Sequence, residues 1–206
     1  MKIYKLLSFS VGGRSAPWAS GYNPLIRMPF LDEMPDEFKA RRFGFWSVNP
    51  GPPGMDIDPG GRIWADLVGN GLGWPSFFVS EKVINDLESS GIQVWRKTEM
   101  PIATVKAKAL QKQTPPKYYV LEAERGIDVD YEASGIPIDL DGKPDFRARD
   151  KSKSGPVAVR LDSWNSKDLF SARQGVPMVV FCTERIKKLA EEKGWTNVRF
   201  DEIPLV

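Results

Sequence analysis

Histidine is absent from the 206 residues, and cysteine occurs once, as Cys182. Histidine is the usual general base near neutral pH and the commonest metal ligand, so Ser-His-Asp, Cys-His and His-based metal chemistry are excluded. A single thiol excludes an internal disulfide and any cysteine-based zinc cluster, which suits a reducing compartment. No segment approaches the roughly 18 consecutive apolar residues of a membrane helix. The opening Met1-Lys2-Ile3-Tyr4-Lys5-Leu6-Leu7-Ser8-Phe9 is too short and interrupted for a secretory leader and lacks a small-residue cleavage site. It reads as a first strand, and a cytoplasmic protein is expected. Charge of one sign is lacking as well: 29 basic against 27 acidic residues leave a net charge of +2, too little to draw in nucleic acid or anionic lipid at long range.

Hydrophobic residues make up 41% and charged residues 27%, the balance of a globular protein. A body of this size buries roughly 70% of its unfolded surface. The chain is long enough for two small units, 1–110 and 111–206, which can pack as one domain.

Aligned with itself at an offset of 103, the sequence repeats. Ser80-Glu81-Lys82-Val83 falls on Thr183-Glu184-Arg185-Ile186, Gly91 on Gly194, and Glu99-Met100-Pro101 on Glu202-Ile203-Pro204. In each copy a short apolar run, Phe77 to Val79 or Val180 to Cys182, predicts a buried strand ending at a hydroxyl residue that can cap a helix. Glu81 and Glu184 favour the positive helix start. Val83, Ile84 and Leu87 form one apolar stripe and Ile186, Leu189 and Ala190 the other, so each helix is predicted to cover a sheet. Gly91 and Gly194 stand where a left-handed cap ends a helix. The apolar runs Ile92 to Trp95 and Trp195 to Phe200 predict a second strand. The fold expected is α+β: a mixed or antiparallel sheet with two packed helices from a duplicated strand-helix-strand unit.

Elsewhere, Gly44 to Pro75 is rich in Gly and Pro and predicts irregular structure. Tyr118 to Leu121 and Val157 to Leu161 read as strands, Ile138-Asp139-Leu140-Asp141-Gly142-Lys143 as a hairpin, and Arg147 to Gly155 as an exposed, mobile loop.

Few of these residues demand chemistry. Gly69-Asn70-Gly71-Leu72-Gly73 leads into Trp74-Pro75 and a strand, not a helix N-terminus, and so reads as a turn and not a phosphate loop. Cys182 reads as a small buried apolar residue. Asp128, Asp130, Glu132, Asp139, Asp141 and Asp145 could pair as carboxylates, but their spacing fits no calcium loop, and turns account for them. Arg147, Arg149, Lys151 and Lys153 form a modest basic strip without interleaved aromatics, for which a solvated loop is the plainer reading. Trp18, Trp46, Trp64 and Trp74 lie in or beside Gly/Pro-rich segments, where a large ring either packs the loop or anchors a partner.

Ile63-Trp64-Ala65-Asp66-Leu67-Val68-Gly69 followed by Phe77-Phe78-Val79-Ser80-Glu81-Lys82-Val83 resembles immunity proteins of bacterial polymorphic toxin systems. Tyr118-Tyr119-Val120-Leu121, Gly126-Ile127-Asp128, Asp168-Leu169-Phe170 and Val180 to Phe200 extend the likeness over most of 60–206. Some members carry paired Cys-x-x-Cys-Gly motifs; this chain has none, so no zinc knuckle is carried over. The resemblance implies a non-enzymatic protein that binds and neutralises a cognate toxin. With it go no cofactor, no metal and no membrane partner, and a contact surface drawn from Trp64, Asp66, Trp74, Arg147, Arg149, Lys151 and Lys153. Two other readings stand beside it: a nucleic-acid-binding accessory protein using the basic strip, and a hydrolase whose carboxylates line a cleft between the halves.

Overall fold

The computed structural model describes residues 1–8, 55–57, 63–68, 76–146, 148–150, 157–173 and 179–206. Among these the chain is α+β, with two α-helices and mostly antiparallel, partly mixed sheets.

One sheet has four strands: β3 (Leu67–Val68), β4 (Ser76–Ser80), β7 (Tyr118–Glu122) and β5 (Arg96–Met100), in that spatial order and antiparallel throughout. A second has six, ordered β12 (Val198–Glu202), β1 (Ile3–Ser8), β11 (Val180–Thr183), β10 (Leu169–Ala172), β8 (Glu124–Asp130) and β9 (Ala158–Arg160). Only β8 and β10 run parallel in it. The parallel pair β2 (Met55–Ile57) and β6 (Ile102–Val105) lies apart. The tail beyond β12 pairs with β9 through Val159 N–H to Pro204 O at 3.1 Å, Val206 N–H to Val159 O at 3.0 Å and Leu161 N–H to Val206 O at 3.0 Å.

Helix α1 (Glu81–Ser89) follows β4 and helix α2 (Glu184–Lys193) follows β11. Val83, Ile84 and Leu87 of one, and Ile186, Leu189 and Ala190 of the other, are the buried stripes that their periodicity predicts. They join one face of each sheet in a single cluster with Leu67, Val79, Leu121, Tyr4, Leu6 and Cys182. The opposite faces hold separate clusters, one around Phe78, Tyr118 and Val120, the other around Ile3, Phe170 and Phe181.

Both helices end alike. Gly91, just past Ser90, has φ +67° and Gly194 has φ +61°. The next amide folds back on the helix, Ile92 N–H to Leu87 O and Trp195 N–H to Ala190 O, each at 2.9 Å. A Cβ at Gly194 would meet nothing within 4 Å, so only the backbone resists a side chain there. Gly194→Ala is therefore expected to lower stability by about 1 kcal/mol through the left-handed conformation alone, and Gly194→Asn by less. A shifted urea midpoint at unchanged slope checks it.

Four strands of each sheet correspond. The order β3-β4-β7-β5 is matched by β10-β11-β1-β12, every pair antiparallel. In β7, Tyr119 faces Val79 and Glu99; in β1, Tyr4 faces Cys182 and Glu202. The facing residues are 103 positions apart in the sequence. Strand β7 thus completes the sheet of the earlier helix, and β1 that of the later one.

Two expectations are corrected. The strand after α1 is not the apolar run Ile92 to Trp95 but the polar Arg96–Met100, and after α2 it begins at Val198 and not Trp195. The apolar runs cap the helices and reach the core, with Ile92 and Trp195 buried. Nor do Ser80 and Thr183 cap with their side chains: each occupies the N-cap position without a cap bond. Their hydroxyls instead donate to the carboxylates of Asp66 and Asp168.

Candidate functional site

Each helix starts on an aspartate, a hydroxyl and a cation. Before α1, Asp66 accepts from Ser80 Oγ at 2.7 Å and from Lys82 Nζ at 3.3 Å. Before α2, Asp168 accepts from Thr183 Oγ1 at 2.6 Å and from Arg185 at 2.8 Å. The cations also reach across. Lys82 donates to Gly194 O, beyond α2, and Arg185 donates to Ser90 O, beyond α1, so the helices lie antiparallel with each start at the other's end.

Beyond this point the two junctions diverge. At the first, the loop after α2 is stitched to the segment entering β3. Thr196 donates to Asp66 Oδ2 through its amide at 2.9 Å and its hydroxyl at 3.1 Å. Asp66 N–H returns to Thr196 Oγ1 at 2.8 Å, Leu67 N–H to Thr196 O at 3.2 Å, and Asn197 Nδ2 donates to Leu67 O at 2.6 Å. Burial pushes the Asp66 carboxyl up, but the Thr196 amide, the Ser80 hydroxyl and the Lys82 charge outweigh it and hold the group below the usual carboxylate range. This junction is closed.

At the second, the loop Ile92-Gln93-Val94-Trp95 on one side and Lys167 and Leu169 on the other are the walls of a cleft of about 750 Å³. The bond across it is between side chains, Lys167 Nζ to Gln93 Oε1 at 2.6 Å. Its rim carries Trp95, 47% exposed, with the Arg96 guanidinium 5.1 Å from the ring centroid. Glu124 lines the same space, and Lys97 pairs with Glu88 at its side. Local sequence explains the opening. Gln93 and Val94 stand where the closed junction has Thr196 and Asn197, so neither the Thr196 hydroxyl nor the Asn197 side-chain amide has a counterpart at its position. Ala65 is fully buried two residues before Leu67, whereas Lys167, two before Leu169, is a charged side chain.

The residues proposed from sequence scatter. Trp64 is partly buried beside Tyr118, their ring centroids 6.4 Å apart. Asp66 is 7% exposed, and its carboxylate is committed to the closed junction. Arg149 donates through Nε to Ser134 O at 2.9 Å. Trp74, Arg147, Lys151 and Lys153 lie outside the described residues, as do Trp18, Trp46, the Gly69-to-Gly73 turn and most of the Arg147-to-Gly155 loop. The cleft residues Gln93, Trp95, Arg96 and Lys167 were passed over. Their signal was a mismatch at the offset of 103, Gln93-Val94 against Thr196-Asn197.

Among the described residues, no group of three or more Asp, Glu, His or Cys is placed to hold a metal ion. Three of the acidic set build turns, Asp139 accepting from the amides of Asp141 and Lys143, Asp130 from Ala133, and Asp145 from Ala148, whereas Asp128 lies in β8 and pairs with Arg173 at 3.2 Å. Cys182 is fully buried, and burial with the nearby Asp168 charge pushes its thiol up, away from reactivity. No helix of the described residues is long and apolar enough to cross a membrane. In comparisons with known proteins, no family model matches the sequence and no curated protein matches it.

Proposed function

We propose that this chain is a toxin-neutralising immunity protein, acting in the bacterial cytoplasm by binding a cognate toxin domain without catalysis. The observation that carries the binding half of this reading is the exposed Trp95 with Arg96 stacked over it at the mouth of the cleft. Tryptophan and arginine dominate binding energy where proteins meet, because a rigid ring and a planar cation each bury much area for little lost freedom. The sequence resemblance over 60–206 supports a toxin as the partner. The shared strand order and register support reading the two strand-helix-strand segments as copies of one duplicated unit, one junction kept closed and the other freed for a partner.

Co-expression with the toxin gene adjoining its own is expected to restore growth of cells that the toxin alone arrests, and the purified toxin domain is expected to bind. Trp95→Ala is expected to weaken that binding about tenfold or more. Growth arrest despite full expression would remove the immunity reading.

A further inference from the structure

We propose that the open junction accepts an extended segment of the partner protein containing an aspartate or glutamate, which docks on the loop Gln93–Trp95 as Asp66–Leu67 docks on Thr196–Asn197. The inference rests on the protein-binding reading and names what the cleft takes.

The closed junction shows what the loop after a helix can hold. There a two-residue extended segment donates one amide, that of Leu67, to the Thr196 carbonyl and the other, that of Asp66, to the Thr196 hydroxyl, while its aspartate accepts from the Thr196 amide. At the open junction the equivalent aspartate, Asp168, is taken by Thr183 and Arg185, and the cleft separates its segment from Gln93. A guest strand between the walls would present its own carboxylate to Gln93 and meet a cation in Lys167, which the closed junction lacks at that place. Trp95 at the rim adds a flat apolar surface for a neighbouring side chain, and Ile92, Val94 and Leu169 line the apolar part. An extended peptide satisfies its main chain along such a loop as it does at a sheet edge, and its alternate side chains choose the register.

A fluorescein-labelled peptide copying residues 63–69, with blocked ends, is the probe, titrated by anisotropy against the full chain. Saturable binding is expected. It should weaken about tenfold when the peptide's aspartate is replaced by asparagine, and about tenfold when the protein carries Lys167→Glu. Trp95→Ala should weaken it as well. Because Trp95 and Lys167 sit at the surface, melting curves of both variants should match the parent. No saturable binding up to about 1 mM, or binding indifferent to the asparagine peptide and to Lys167→Glu, overturns the proposal. So does a labelled 12-nucleotide oligomer that binds in the peptide's place and is lost with Trp95→Ala, which would assign the cleft to single strands. The two readings fail separately: a toxin that binds equally well to Lys167→Glu and Trp95→Ala sinks the cleft alone, and peptide binding without protection of cells sinks the toxin.

Discussion

Asp66→Ala is expected to lower stability by about 3 kcal/mol, measured as the shift of the urea unfolding curve at neutral pH. The carboxylate accepts four bonds at once, from the Ser80 hydroxyl, the Thr196 amide and hydroxyl, and Lys82. Its truncation leaves the buried Ser80 hydroxyl without an acceptor, which is where the larger part of the loss arises, and cuts the tie to Thr196, an exposed residue whose donors can turn to water. Lys82, with 47% of its side chain exposed, regains water and contributes little. Asp66→Asn keeps one acceptor and the shape, so about half the loss is expected. The acid limb separates the two variants from the parent. The folded-state pKa of Asp66 lies below its unfolded value, so the unfolded chain takes up the proton first. Its stabilisation is then present above the ordinary carboxylate pKa of about 4 and is lost as pH falls through the folded value. The parent should lose stability on acidification through that window more steeply than Asp66→Asn. Equal slopes would show that the carboxylate is not held charged by this junction.

The helices were legible in the sequence because everything that makes them is local. A stripe at helical spacing, an acidic first turn and a glycine at the end all sit within a dozen residues of one another. Strand β5 was not legible, since Arg96-Lys97-Thr98-Glu99 has no apolar alternation and becomes a strand only because Tyr118–Glu122 lies beside it. The apolar residues just before it have the composition of a strand, but they turn back from the helix and fill the core. Trp95 inside a buried strand would be a core residue, so the cleft has no sign in the local sequence, whereas Trp64 and Trp74 stand out by their glycine-rich surroundings. Asp66 lay inside the segment that carried the resemblance, but its role is internal; a carboxylate fourteen residues from its serine and 130 from its threonine gives no sign of either partner until the chain is folded.

Lys5→Pro is expected to cost 3 kcal/mol or more, about the largest effect of any surface-residue change, whereas Lys5→Ala should stay within about 0.5 kcal/mol. Strand β1 is flanked on both sides, with Lys5 opposite Phe181 on β11 and Asp201 on β12, so proline must break the ladder on one side or the other. The loss should not stay in the six-stranded sheet. Tyr4 and Leu6 of β1 pack in the same cluster as Val83 and Leu87 of α1 and Leu121 of β7. Strand β7 in turn closes the sheet on the other side of that cluster. A single unfolding transition is therefore expected for Lys5→Pro as for the parent, with tryptophan fluorescence and far-UV circular dichroism moving together. Two separated transitions would mean that the sheets unfold independently. The walls of the cleft come from opposite sides of this arrangement, Gln93 and Trp95 after α1, and Lys167 and Leu169 entering β10. Holding the two walls a fixed distance apart needs both sheets pinned to one core, which Tyr4 and Leu6 of β1 and Leu121 of β7 provide by packing in the same cluster.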